Sequence, residues 1–380
     1  TTKEIFKMQK KIIALAVAGL ASTAAFAQTN VTVYGVADAA YIYTHTNGGN
    51  GLNTKAGEKH GNDFNGIQSG QLAGSRIGFK GTEDLGNGLK AVFVLEYAIE
   101  LDNNNGIGNN ASGLNARQQY VGLSGKAGTL SLGRQYAPGY YTFELDPLTA
   151  SPALSSLDAG QAHLGATIRG ASPARWNSSV NYTSNSMGGV TVQGIYAFGE
   201  NTNEIEMGAS YGVGVNYAGG PVSVKYVYHN AANAQGAAAA VTFPTGTVPG
   251  SNNGTQQEHY IGLSFDAKVV KILASAQMVD KGSRTNAGGQ AAEGQAYQIG
   301  AVVPVGKGNI HASYSYANRD SATRVGPATY RGDMNSATVA YTHGLSKRTT
   351  LYTGVRYTDN DVYNAGGQTT AFGAGVNHSF

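Results

Sequence analysis

The end of the chain is an alternating strand. Thr370, Phe372, Ala374, Val376, His378 and Phe380 form a mostly apolar row, and Ala371, Gly373, Gly375, Asn377 and Ser379 form a small and polar row on the opposite face. A wall built this way meets two different solvents. A final strand closing on an aromatic residue fits an outer-membrane barrel, whose last strand must pair with its first. An ordinary sandwich strand shows the same alternation, so the rest of the chain has to decide.

After residue 27 no stretch approaches the roughly 20 consecutive apolar residues of a membrane helix. Short alternating segments recur instead, near 31–44, 70–81, 88–101, 116–125, 127–136, 174–184, 189–198, 207–218, 221–230, 256–266, 268–280, 293–304, 307–318, 332–343, 347–359 and 369–380. Sixteen is an even number, as a closed antiparallel barrel of one chain requires, and about ten tilted residues cross the apolar band. Charged residues make up 13% of the chain, against about 25% in soluble domains. The 23 tyrosines suit interfacial girdles, although abundant Gly and Tyr fit a sandwich too. Tight Gly- and Asn-rich turns such as Gly306-Lys307-Gly308 alternate with long polar connections such as 45–69 and 231–255. That asymmetry is the periplasmic and extracellular one of a membrane barrel. The fold class expected is all-β, a transmembrane antiparallel β-barrel of 16 strands.

Lys10 and Lys11 precede the apolar run Ile12 to Leu20 and the small-residue stretch ending at Ala27. This is the layout of a secretory signal peptide, too short to span a bilayer as a helix. Met8 reads as its start. Residues 1–27 are therefore expected to be removed, and 28–380 to form a single barrel domain without an internal linker. The leader holds four of the 26 basic and one of the 23 acidic side chains, so 22 of each remain. A mature chain of zero net charge gives no reason to expect a nucleic-acid partner. The chain has no cysteine, which excludes disulfides and thiolate metal sites.

Nearly forty residues between Tyr136 and Ala174 lack a strand pattern, and a connection that long is usually functional. A sixteen-strand lumen is wide enough to admit it. Its composition fits an external solvated loop equally well. On the strand near 88–101, parity sends Ala91, Phe93, Leu95 and Tyr97 to lipid and Lys90 and Glu96 to the lumen, because a carboxylate facing lipid is costly.

Several runs resemble general porins of β-proteobacteria. They include Val31-Thr32-Val33-Tyr34-Gly35-Val36-Ala37-Asp38-Ala39, the hairpin from Gly74-Ser75-Arg76-Ile77-Gly78-Phe79-Lys80 through Gly88-Leu89-Lys90-Ala91, and Ala116-Arg117-Gln118-Gln119-Tyr120. Gly128-Thr129-Leu130-Ser131-Leu132-Gly133-Arg134-Gln135-Tyr136 and Arg175-Trp176-Asn177-Ser178-Ser179 belong to the same set, as does the Phe380 ending. The resemblance spans the mature chain and implies a homotrimeric porin in the Gram-negative outer membrane, with a third extracellular loop folded into each pore. It also implies a row of basic wall residues, Arg76, Arg117, Arg134 and Arg175, facing the acids Glu96, Glu144, Asp146 and Asp158. Phe372, Val376 and Phe380 would form the barrel-assembly signal. The partners implied are lipid and lipopolysaccharide, the barrel-assembly machinery and periplasmic chaperones. The Pro-Glu-Phe-Gly loop motif of enteric porins is missing.

Opposed rows of arginine and carboxylate hold a permanent transverse field. Three or four arginines against two or three acids give a weak anion preference. The alternative role for the arginines is wall scaffolding, and the two roles are compatible. The eight histidines are scattered without metal-ligand spacing, and no cofactor is expected. Trp176, the single tryptophan, reads as a girdle or trimer-contact residue. An outer-membrane hydrolase would need a Ser/His/Asp cluster at its rim. A substrate-specific channel for a sugar or organic anion would need an aromatic path, which Tyr140, Tyr141 and Phe143 leave open. A structural or adhesive barrel would not conduct.

Overall fold

The computed structural model describes residues 30–47, 63–103, 115–199, 208–232, 241–243, 246–248, 255–281, 293–325, 328–361 and 367–380. The expected leader lies outside them. Sixteen antiparallel wall strands run β1 Asn30–Asn47, β2 Phe64–Ser69 with Arg76–Gly86, β3 Leu89–Ala98, β4 Ala116–Gly125, β5 Gly128–Tyr136, β6 Arg175–Ser184, β7 Val190–Ala197 and β8 Ser210–Gly219. The rest are β9 Val222–Ala232, β10 Thr255–Asp266, β11 Lys271–Lys281, β12 Gly294–Val305, β13 Gly308–Val325, β14 Ala328–Gly344, β15 Thr349–Asn360 and β16 Gly367–Ser379. Each strand pairs with its chain neighbour. The ring closes where β16 pairs with β1 from Val36 opposite Ser379 to Asn47 opposite Gln368. Beyond that ladder, Phe380 and Gly35 exchange two backbone hydrogen bonds of 3.1 Å, with the phenyl ring lying over Gly35. A Cβ at Gly35 would come within 2.3 Å of that ring.

The second strand departs from its expected span. Its two pieces lie end to end along one edge of β1, opposite Ala39–Thr44 and Asn30–Val36. The intervening bend folds around Asp38, whose buried carboxylate accepts from the backbone N–H groups of Gln71 (2.7 Å), Leu72 and Ala73 (3.2 Å each). Tyr352 Oη (2.7 Å) and Asn377 Nδ2 (2.8 Å) donate to the same carboxylate. Among the described residues, five donors and no cation hold this buried anion.

Parity separates the two faces. On β10, Ile261, Leu263 and Phe265 are exposed, whereas Tyr260, Gly262 and Ser264 are buried. Phe372, Val376 and Phe380 likewise point outward. This apolar exterior suits hydrocarbon and would be unfavourable in water.

Pro138 cannot continue the ladder of β5, and the chain leaves the wall for residues 137–174. It forms a 3-10 turn over Pro138–Leu145 and α1 over Ser156–His163, where Ser155 Oγ accepts from Asp158 N at 2.8 Å. Leu148 and Leu154 pack against Ala40 and Ile42 of β1, Ala340 of β14 and Tyr352 of β15. Leu164 and Ala166 meet Val279, Ala296, Ala317 and Met334 on β11 to β14. Leu145 and Ile168 meet Val227 of β9 and Tyr260 of β10. The segment thus packs on buried side chains of β1 and of β9 to β15. Each leucine buried there contributes about 1.5–3 kcal/mol.

Candidate pore constriction

β2 to β6 bring three of the expected arginines together. Arg117 Nε donates to Glu96 Oε1 at 2.8 Å, and Arg76 Nε lies 3.7 Å from Glu96 Oε2. Tyr136 Oη (2.6 Å) and Tyr34 Oη (3.0 Å) also donate to Glu96. Glu96 is thus the buried anchor of the cluster, as its parity on β3 requires. Gly74 lets the guanidinium approach the wall, because a Cβ there would lie 2.8 Å from Arg117 Nη1. Arg117 Nη2 donates to Tyr140 Oη at 2.8 Å, and the Tyr140 ring stacks on Tyr136 with centroids 3.7 Å apart. The Arg175 guanidinium sits 5.7 Å from the Tyr140 centroid and 6.0 Å from that of Tyr136. Burial pushes the Tyr140 hydroxyl up, but Arg117 and Arg175 outweigh it and leave it below the usual phenol range.

Arg76, Arg117 and Arg175 open onto one cavity of about 280 Å³. Its other lining comes from the bend at 70–74 and from neutral residues of the inserted segment, among them Phe143, Thr149, Pro152 and Gly170. Among the described residues, no carboxylate lines it.

The remaining expected members are elsewhere. Arg134 has the parity of the exposed Leu130 and Leu132, and its guanidinium is bound to the carbonyls of Ala116 (2.8 Å) and Arg175 (3.2 Å) and to Asn177. Strand alternation carries it to the outer side of the wall. Asp146 is buried and accepts from the backbone of Leu148 (3.0 Å) and Ala150 (2.8 Å) and from Ser155 Oγ, so it shapes the segment and does not face the lumen. Burial pushes its carboxyl up. Asp158 forms a two-pronged pair with Arg169 at 2.6 and 2.8 Å. Glu144 pairs with Lys225 of β9 at 2.6 Å, in a different cavity. Trp176 is fully buried, 4.8 Å from His229 between ring centroids and packed on Ala137, Ile195 and Ala197. The irregular register between β5 and β6, with Ser178 at φ 47°, turns it under the root of the segment instead of into a girdle.

Sequence reasoning overlooked the anchors of the segment. Glu258 of β10 accepts from Thr167 N (2.6 Å), Ile168 N (3.0 Å), Gln256 Nε2 and Gln277 Nε2 (3.0 Å). Gly139 N donates to His229 Nε2 at 3.0 Å. Arg356 Nη1 donates to the carbonyls of Pro152 (3.0 Å) and Ser155 (3.2 Å). The parity rule that assigned Glu96 to the lumen also finds Glu258 and Arg356. Arg169 carried no such signal. Among the described residues no cluster of His, Asp and Glu could hold a metal ion.

A family model described as Gram-negative porin matches residues 14–363. An outer membrane porin protein of Bordetella pertussis is 29% identical, the alignment covering 98% of this chain and 100% of the relative. Outer membrane porin protein 32 of Delftia acidovorans is 30% identical at the same coverage. Among solved structures, the anion-selective porin from Comamonas acidovorans superposes with a TM-score of 0.70 at 26% identity, over 93% of this chain and 100% of that one. With a closed sixteen-strand wall, an apolar exterior and a charged interior already established, the chain belongs to the Gram-negative porin family: it is an outer-membrane channel for passive diffusion.

Proposed function

We propose that this channel prefers anions, and that its narrow waist lies where the inserted segment, taken as the third extracellular loop, faces Arg76, Arg117 and Arg175. The observation that carries the reading is a cavity lined, among the described residues, by three guanidinium groups and no carboxylate. Glu96 offsets one charge from behind, which leaves a net of two positive charges among the described groups at this cavity. A small anion ~5 Å from one of them gains ~0.8 kcal/mol even at the dielectric constant of water, and about four times as much at an effective ε of 20. Since ~1.4 kcal/mol is tenfold in an equilibrium, the preference is severalfold or more, stronger than opposed charged rows would give. The anion-selective relative of like fold is consistent with this.

The same reading covers the remaining parts. Residues 1–27 act as a cleaved leader, the barrel assembles as a homotrimer amid lipid and lipopolysaccharide, and β16 with Phe380 is what chaperones and the assembly machinery recognise. The protein has no enzymatic role. Planar-bilayer recording of the purified protein across a tenfold KCl gradient tests the reading. The expected result is stepwise conductance with a zero-current potential of the sign set by chloride. Absence of conductance would overturn the channel, and a potential of the opposite sign would overturn the anion preference.

A further inference from the structure

The 3-10 turn Pro138–Leu145 has cavities on two sides. Tyr140 turns toward the arginines, whereas its neighbour Tyr141 lines a second cavity of about 310 Å³ between the turn and the inner faces of β6 to β9. We propose that this second cavity is a binding station for neutral polyhydroxylated solutes, of the monosaccharide class, separate from the arginine-lined waist.

Charge is the first argument. The two ionised groups at the cavity cancel, because Lys225 Nζ donates to Glu144 Oε2 at 2.6 Å and to the Tyr141 carbonyl at 2.8 Å. The Lys225 side chain is 7% exposed, so its positive charge is enclosed, while the Glu144 side chain is 49% exposed and offers acceptor capacity to the lumen. An inorganic anion finds the part-exposed Arg76 and Arg175 in the first cavity and no available cation in this one.

Hydrogen-bonding capacity is the second. Thr183 of β6, Thr191 of β7 and Asn216 of β8 line the cavity. Among the described residues, their side chains have no protein hydrogen-bond partner, so donors and acceptors are presented at fixed positions on a rigid sheet. Apolar surface is the third. The Tyr141 ring and the Pro138 ring form the opposite side. A pyranose has the matching pair of features, a face of C–H groups and an equatorial fringe of hydroxyls. It covers the rings with one and satisfies the Thr, Asn and Glu groups with the other. The volume lies at the lower end of the range for small-molecule pockets.

The test is ion-current recording on the intact protein in planar bilayers while glucose is titrated, with polyethylene glycol of similar hydrodynamic size as the control for viscosity and simple volume exclusion. The expected result is a saturable fall in conductance, or excess current noise, with glucose and not with the glycol. The double substitution Thr191→Val with Asn216→Ala removes two hydrogen-bonding partners and should raise the half-saturating glucose concentration by roughly tenfold or more. Neither residue lines the arginine cavity, so the zero-current potential in a KCl gradient should stay as in the wild type. Glucose acting only as the glycol does, or saturation unchanged in the double variant, would overturn the station while leaving the channel reading intact. A variant without conductance is replaced by Thr191→Val alone, for which a partial weakening is expected and an unchanged half-saturation contradicts the proposal.

Discussion

The two sides of the barrel wall treat charge in opposite ways. On β2 to β6, three arginines gather round one buried carboxylate and open onto a cavity. On β9 to β15, Lys225, Glu258 and Arg356 turn their charges onto the inserted segment, where they hold its backbone and side chains. Both walls have inward-facing ionisable groups at the same strand parity. What separates them is how far the segment covers them. Lys225 and Glu258 are covered and become anchors, and Arg117 is covered too, being 5% exposed and bonded to Tyr140. Arg76, 24% exposed, and the half-buried Arg175 remain available to a passing ion.

The anchor side yields the largest expected effect. Glu258→Ala leaves the amides of Thr167 and Ile168 without their acceptor. It also removes one of two acceptors from each of Gln256 and Gln277, which keep the carbonyls of Gly165 and Ile168. At roughly 1–3 kcal/mol for each buried donor left unpaired, the end of the segment should detach. Single-channel records should then show larger and noisier conductance, and thermal melting should fall. Wild-type conductance and melting in this variant would break the division between the two walls.

On the open side, Arg117→Ala removes the nearest cation of Glu96 and leaves a buried carboxylate facing the more distant Arg76. Breaking a buried pair of this kind costs roughly 3–5 kcal/mol. The anion-to-cation permeability ratio should drop severalfold, with the melting temperature falling too. Unchanged selectivity would remove Arg117 from the waist.

Titration sharpens the comparison further. Tyr140 is neutral below its pKa and anionic above it, and the guanidinium groups hold that pKa below the usual phenol value of ~10 despite burial. Raising the pH toward that value should therefore add a negative charge beside Arg117 and reduce anion preference. Tyr140→Phe should abolish this decline, and a decline that persists in the phenylalanine variant would assign it to another group. The smallest effect belongs to Asp158→Asn. It frees Arg169, whose side chain is 24% exposed against 5% for Asp158, at the loss of two charge-assisted hydrogen bonds. Anion preference should rise slightly by reversal potential, and a fall would contradict the pairing.

The wall was legible because parity is a local property. Fifteen of the sixteen strand spans were foreseeable from alternation, and so were the inward Glu96 and the outward Phe372, Val376 and Phe380. The second strand was the exception, since its break depends on Asp38, some thirty residues earlier in the chain. The candidate cluster was only partly legible. The family resemblance pointed to Arg76, Arg117 and Arg175, which the fold brings to one cavity, and to Arg134 at the strand end, against that residue's own parity. The acids of the segment could not be assigned, because residues 137–174 have no period to read. Asp146 and Asp158 look alike in sequence, yet the first caps local backbone and the second pairs with Arg169.

Arg175 gives the most direct test of the central claim that uncovered wall arginines set selectivity. It forms no salt bridge among the described residues and meets the cavity over the faces of Tyr136 and Tyr140. Arg175→Gln therefore removes one lumenal charge without stranding a carboxylate. In a tenfold KCl gradient the account predicts a zero-current potential shifted toward the cation side with melting close to wild type. The same potential as wild type, in a channel that still conducts, would contradict it.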